Sequence, residues 1–460
     1  MDPNARSRPG IADRARLGCV LLLALISAAG TLSAQPAPLD DEIAFLEARL
    51  SRDEADPITP TRLGHAYLRK ARATRDFTLY QRAESVFRQA LERSPEYFGA
   101  LTGLAGALSA RHAFRDALAV AERAVAAGPD SPDGYAAAGD AALEAGLLDK
   151  AAAMYARVEA LAPGYHTDTR RANLAAARGD TRGAYAALER AAADAEDRGM
   201  TPDLIAWCHL RAGGIAWEHG DWPRAERSYA AARALTPASP VVLEHLAELR
   251  AAQGRDEEAL ELYGKAQVLS PQPEFHEAAG AIQRRRGRAA QADRLFGLAR
   301  AGYEKAAHGG DPGAYRPLAL FLLEVEGRPA DALTWARKDA GIRQDAVTLG
   351  ILAWVLLKNG LEEESGRVAD TAIQARPVDA DTWYRAGVVS MTRGDRAAAR
   401  TRLTRALAIN PRFRAAADAA RLLKRVANAE VNSAGTEGKI AVDAGKAIAP
   451  FDSDPAQQRH

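Results

Sequence analysis

Cysteine is almost absent from this 460-residue chain: Cys19 and Cys208 are the only two. Neither a disulfide framework nor a four-cysteine zinc site can be built from them. Aromatic residues make up only 6% of the chain, so large rings cannot be the main filling of its core. Net charge is also missing, since 61 basic residues face 60 acidic ones. That balance excludes a broadly basic nucleic-acid-binding surface and a long acidic tail. No apolar run reaches the roughly 20 residues needed to span a bilayer. The longest, Leu17 to Leu32, has 16 residues.

That short run reads as part of an export signal. Arg6, Arg8, Arg14 and Arg16 precede it, and Ser33-Ala34 with a helix-breaking QPAP stretch follow it. A basic segment, a short apolar segment and a small residue at a break are the order of a secretory signal peptide. Residues 1–34 are therefore expected to be a leader cleaved after Ala34, and the protein periplasmic or secreted. Contact with a membrane is expected only if this segment stays uncleaved as an anchor. Cys19 lies at the start of the apolar run, whereas a lipidated cysteine would follow it, and is misplaced for lipidation. Cleavage would leave Cys208 alone and the net charge near −1.

The rest of the chain is rich in alanine and punctuated by proline. Pro95, Pro129, Pro163, Pro237, Pro271, Pro377 and Pro411 are separated by 34, 34, 74, 34, 106 and 34 residues. The long intervals are two periods plus six residues and three periods plus four. Within a period, two apolar faces at helical spacing flank a turn. Leu104, Ala105 and Leu108 precede Ala117, Ala121 and Ala124; further along, Trp383, Ala386 and Gly387 precede Ala399, Leu403 and Ala406. Small residues let paired helices approach closely, and a glycine ends the first helix. Proline ends the second and keeps the residue before it out of the helical region.

This grammar resembles the tetratricopeptide repeat, a 34-residue helix–turn–helix unit. Leu63-Gly64 with Tyr67 matches the first part of that pattern, and Ala83, Phe87, Ala90 and Pro95 match the second. Trp383 holds the tryptophan position. The resemblance covers roughly residues 57–426 and implies an all-α, right-handed solenoid superhelix of about ten repeats, the array proper spanning 57–411. Residues 35–56, with Ile43, Leu46 and Leu50, are expected to form an N-terminal capping helix, and 412–426 a C-terminal one. Residues 427–460 lack sustained periodicity and are expected to be a disordered tail. Departures from the pattern are an insertion near Arg75-Asp76, second helices running on toward Gly199 and His308, and Ser365 in place of alanine.

Motifs that carry chemistry are missing. No metalloprotease, P-loop, nucleophile-elbow or dinucleotide-binding pattern occurs. Cys208-His209 points its two side chains about 100° apart on a helix, which suits a core pair better than a shared metal. No catalytic residue, metal ligand or cofactor is expected. The basic run Gln283 to Arg288 is either an anion patch or a helix end, where cations are favoured. In the resembled family, first helices line a concave groove that binds peptides or partner proteins. The groove residues this implies are Trp207, Leu210, Trp217, Phe321, Trp354, Leu357, Tyr384 and Met391, an apolar C-terminal half. The N-terminal half offers Gly99, Thr102, Ser109, Asp133, Asp140 and Asn173 instead. Thr169 stands where a carboxylate-clamping lysine would be needed. The expected function is a non-catalytic interaction scaffold of the cell envelope or periplasm for a protein or peptide partner, not for nucleic acid. The alternatives are a membrane-tethered envelope assembly factor, and a groove with a small-molecule-binding or enzymatic role.

Overall fold

A computed structural model describes residues 39–52, 56–74 and 76–428. The expected leader and nearly all of the expected tail lie outside them. Among the described residues the chain is a succession of α-helices, and ten of them pair with the next in line. The pairs are α2 (Ile58–Thr74) with α3 (Thr78–Arg93), α4 (Phe98–Ala110) with α5 (Phe114–Ala127), and α6 (Pro132–Glu144) with α7 (Leu148–Leu161). Next come α8 (Tyr165–Ala177) with α9 (Thr181–Asp197), α10 (Pro202–Glu218) with α11 (Trp222–Leu235), and α12 (Pro240–Ala252) with α13 (Asp256–Leu269). The series ends with α14 (Pro273–Arg285) and α15 (Ala289–His308), α16 (Tyr315–Glu324) and α17 (Pro329–Ile342), α18 (Ala346–Lys358) and α19 (Glu362–Gln374), and α20 (Ala380–Thr392) and α21 (Arg396–Ile409). Each pair stacks on the next, which is the all-α solenoid expected.

Local chemistry sets the boundaries. Asp180, Asp221, Asp345 and Asp379 accept backbone N–H bonds at helix starts, satisfying donors the first turn leaves open. Proline occupies the first helical turn of α6, α10, α12, α14 and α17, where its missing N–H costs nothing. From α4 onward one residue between paired helices adopts a left-handed backbone, for instance Gly146 at φ +77°. His112 takes the equivalent place after α4 at φ +61°, unusual for a residue with a Cβ. The sequence irregularities fall where expected: α2 and α9 lengthen to 17 residues and α15 to 20.

Five of the ten pairs are sealed by a large side chain of the second helix seated on a glycine of the first. Phe87 fills the space beside Gly64 and Gly103, Tyr155 that beside Gly139, Tyr229 that beside Gly213, and Phe296 that beside Gly280. Leu403 does the same over Gly387. A Cβ at any of these glycines would meet the seated side chain below 3.0 Å, so the small residue is required by the close approach. Two outer elements cover the ends. Helix α1 (Leu39–Leu50) buries Ile43 and Leu46, and a helix over 416–428 follows the buried Phe413 and buries Ala419 and Val426.

The solenoid turns tightly enough to touch itself. The turn after α10 meets the chain after α21: Asn410 Nδ2 donates to Trp217 O at 3.2 Å, and the Arg412 guanidinium lies 5.1 Å from the Trp222 ring. Arg414 pairs with Glu324 at 3.2 Å across 90 residues. Val378 lies close against Gly179. One turn of the superhelix thus rests directly on the next.

Candidate functional site

The groove formed by the first helices splits into two chemically distinct halves. In the C-terminal half most of the expected groove residues belong partly or wholly to the packing. Phe321 is fully buried, its ring 6.2 Å from that of Phe296 and 5.8 Å from that of Tyr303, so it seals the α14–α17 core and does not face the groove. Trp217 is 9% exposed and stacks on Trp222 with ring centroids 6.1 Å apart. It too is placed inside, because the turn after α10 is covered by Asn410 and Arg412. Trp207 and Leu210 are half-buried against the α8–α10 and α10–α13 cores. Trp354 and Tyr384 form a ladder with Phe413, with centroids 6.3 and 5.8 Å apart. Tyr384 donates its hydroxyl to Asp418, and Met391 joins the same cluster, so the C-terminal helix claims this surface. Leu357 packs half-buried against the α18–α20 core.

The N-terminal half is open. A cavity of about 320 Å³ lies among α4, α6 and α8, walled by Ala105, Ala137, Leu143, Val158 and Met200. Helix α6 directs Asp133, Ala137, Asp140 and Glu144 along it, a set spaced to fall on one helical face. Asp140 is fully engaged: Arg170 donates to it from Nε and Nη2, both at 3.0 Å, and the Tyr155 hydroxyl donates at 2.9 Å. Asn173 Oδ1 accepts from Arg211 Nε at 2.9 Å, and Arg211 also lies 3.5 Å from Glu218. Of these residues, sequence reasoning singled out Asp133, Asp140 and Asn173. It missed Glu144, Tyr155 and Arg170, which carry no motif and differ from their repeat equivalents only in side-chain identity.

A second cavity of about 220 Å³ continues from Glu144 into the cleft between superhelical turns. His112 and Arg211 line it from one turn, Arg343 and Asp345 from the other. His112 is held well below its ordinary range by burial and by Arg343 and Arg316, so the ring is neutral at pH 7. Asp345 lies low although burial pushes it up, because Arg316, Thr348 and Arg343 outweigh that push. Nothing local announces this cleft, since its walls come from segments more than a hundred positions apart.

Glu144 has the most displaced carboxyl of the cavity. Burial, then Asp140 and Asp345, push it up to about 7, and Arg211 and Arg343 only partly oppose this. A carboxyl raised above its unfolded value of 4.5 favours the native state at low pH. That contribution is lost as pH climbs from 4.5 to about 7, and stays lost above. Glu144→Gln is therefore expected to stabilise the protein at pH 8, by about 1–3 kcal/mol after allowing for solvent in the cavity, and to change little at pH 5. Melting of both forms at the two pH values checks this; equal shifts would contradict it.

The other reactive groups are spent on structure. Burial pushes the Cys208 thiol up to about 12, which suppresses the nucleophilic thiolate. The basic run is paired along the helix ends, Arg285 with Asp256, Arg286 with Glu257, and Arg284 over the Phe296 ring. Among the described residues no three histidine, cysteine, aspartate or glutamate side chains gather as metal ligands. No helix among them is long and apolar enough to cross a membrane.

Comparison with known proteins agrees with the helix-pair geometry. Residues 79–141 and 210–272 each match a tetratricopeptide repeat family model. No curated protein matches the sequence. Among solved structures, yeast Tom70 is 14% identical with a TM-score of 0.38, covering 85% of this chain and 93% of its own. The Cut9 and Hcn1 hetero-tetramer of APC/C is 13% identical with a TM-score of 0.37, over 84% and 93%. PilW, described as a type IV pilus biogenesis factor, is 18% identical with a TM-score of 0.38, over 45% and 94%. Two stretches inside ten helix pairs of one design thus match the tetratricopeptide repeat, and such repeats support a role as a scaffold for protein interaction.

Proposed function

We propose that the protein is an exported, non-catalytic scaffold of the bacterial cell envelope or periplasm whose inner groove holds an extended segment of a partner protein. The observation that carries this is the open cavity on the first helices α4, α6 and α8, with apolar walls and a few fixed polar groups. Such a lining suits a peptide: apolar contact supplies affinity and the fixed polar groups supply orientation. The export part rests on the leader pattern of residues 1–34.

Ser109, half-buried on the cavity wall, offers the test. Ser109→Trp is expected to fill the groove while leaving the melting temperature within a few degrees of wild type. A protein retained from envelope extract by wild type and lost with this variant supports the reading. Equal retention would move the binding surface elsewhere. N-terminal sequencing tests the location: Gln35 as first residue fits export with cleavage, and retention of residues 17–32 would mean a membrane-tethered form.

A further inference from the structure

The groove cavity carries charge that the protein itself does not use. Its two arginines are spent. Arg170 is held by Asp140, and Arg198 by Asp194 at 2.7 Å. The His166 ring is lowered by burial and by Arg170, and so is neutral at pH 7. On the acidic side, Asp140 and Asp194 are engaged in these same pairs. Asp133 and Glu144 are not: among the described residues neither carboxylate has a side-chain hydrogen bond or an ion pair. Glu144 is half-buried and opens on both cavities, and Asp133 is exposed at the rim of the first. The uncompensated charge in this apolar-walled space is negative.

The spacing of the two carboxylates adds a length. Eleven residues of helix separate Asp133 from Glu144, a rise of about 16 Å at ~1.5 Å per residue, and they fall on nearly the same face. An extended chain covers that distance in about five residues at ~3.3 Å each. We propose that this cavity seats an extended partner segment with two basic side chains four or six positions apart, an even spacing that puts both on one side of the strand, separated by small apolar residues, one facing Glu144 and the other Asp133. The proposal deepens the groove reading above and rests on it.

The deeper contact should be sensitive to pH. Around Glu144 stand Asp140 on its own helix, His112 after α4, Tyr155 on α7, Arg170 and Asn173 on α8, Arg211 and Glu218 on α10, and Arg343 and Asp345 before α18. The empty groove holds a proton on Glu144 up to about pH 7. A bound ammonium or guanidinium group favours the carboxylate and expels that proton. Affinity should then rise with pH, by up to about tenfold between pH 6 and 8.

Fluorescence anisotropy with labelled decapeptides of alanine and valine tests this on the full protein. One peptide carries two lysines four positions apart, a second has norleucine in both places, and a third has glutamate. The lysine peptide is expected to bind at least tenfold more tightly than the norleucine peptide at pH 8. Glu144→Gln should remove most of that preference and all of its pH dependence, and Asp133→Asn should remove a smaller part. Equal binding of the lysine and norleucine peptides overturns the cation assignment and leaves the groove reading standing. Preference for glutamate, or a lysine preference that survives Glu144→Gln, overturns it as well. Absence of binding by every peptide, while capture sensitive to Ser109→Trp persists, also overturns it. Competition by 1,4-diaminobutane at the affinity of the lysine peptide would reassign the site to small amines and overturn the peptide proposal.

Discussion

Phe87→Ala is expected to cost about 3–5 kcal/mol and to melt the first two helix pairs ahead of the rest of the array. Phe87 is fully buried, and its ring fills the space left by Gly64 on α2 and Gly103 on α4. It therefore joins one pair internally and joins that pair to the next. His65 adds an edge-on ring contact at 5.1 Å. Truncation leaves a cavity that two helix backbones, already in close approach, cannot collapse to fill. A repeat array distributes stability as units plus nearest-neighbour interfaces, so the loss should be local. Hydrogen exchange should show protection falling across α2–α5 while α12–α21 stay unchanged. The reciprocal change, Gly103→Ala, would press a methyl group into the Phe87 ring and should destabilise the same region. Adding Phe87→Leu to Gly103→Ala should recover part of the loss, because the smaller side chain makes room for the methyl. A uniform fall in protection over the whole chain, or no fall, would show that Phe87 does not hold this interface.

The helix pairs were legible in the sequence because their signals are local. A proline just after the second helix, a glycine at the turn and small residues on facing sides recur within 34 positions. Even the seated side chain over a glycine can be read from Gly64 with Phe87 or Gly139 with Tyr155. The candidate site was less legible, for two physical reasons. A solenoid buries large side chains between pairs as well as within them, and sequence position alone does not separate a groove-facing ring from an interlocking one. Phe321 thus went inside, between Phe296 and Tyr303. Trp354 and Tyr384 lie against Phe413 of the covering segment. The second reason is curvature. Whether successive turns of the superhelix touch depends on small rotations summed over several pairs, and no single pair encodes that sum. His112 opposite Arg343 and Asp345, and Trp217 under Asn410, are its products.

Asp339→Ala is expected to be as damaging as any core truncation, at about 3–5 kcal/mol, because it strands two buried cations. Arg316 and Arg343 are each 3% exposed at the side chain, and Asp339 is 2% exposed. Asp339 lies 3.2 Å from Arg316 Nε and 2.7 Å from Arg343 Nη2. Asp345 pairs with Arg316 at 3.3 Å, but it also caps α18 through the N–H groups of Val347 and Thr348. It cannot take over both arginines. Burial and the neighbouring Arg316 already lower Arg343, which also donates to Pro312 O. Removal of Asp339 leaves that repulsion opposed by Asp345 alone inside the protein. The same cluster faces His112 across the cleft, so its loosening should also part the two superhelical turns. Two measurements follow: protection of α16–α18 in hydrogen exchange should fall, and the radius of gyration in solution scattering should rise. Replacing Asp339, Arg316 and Arg343 together by apolar residues of similar volume should be far milder than the single change, since it removes the charges along with their pairing. A single variant that kept its protection and its dimensions would mean that solvent reaches Arg316 and Arg343, and that the cluster does not clamp the turns together.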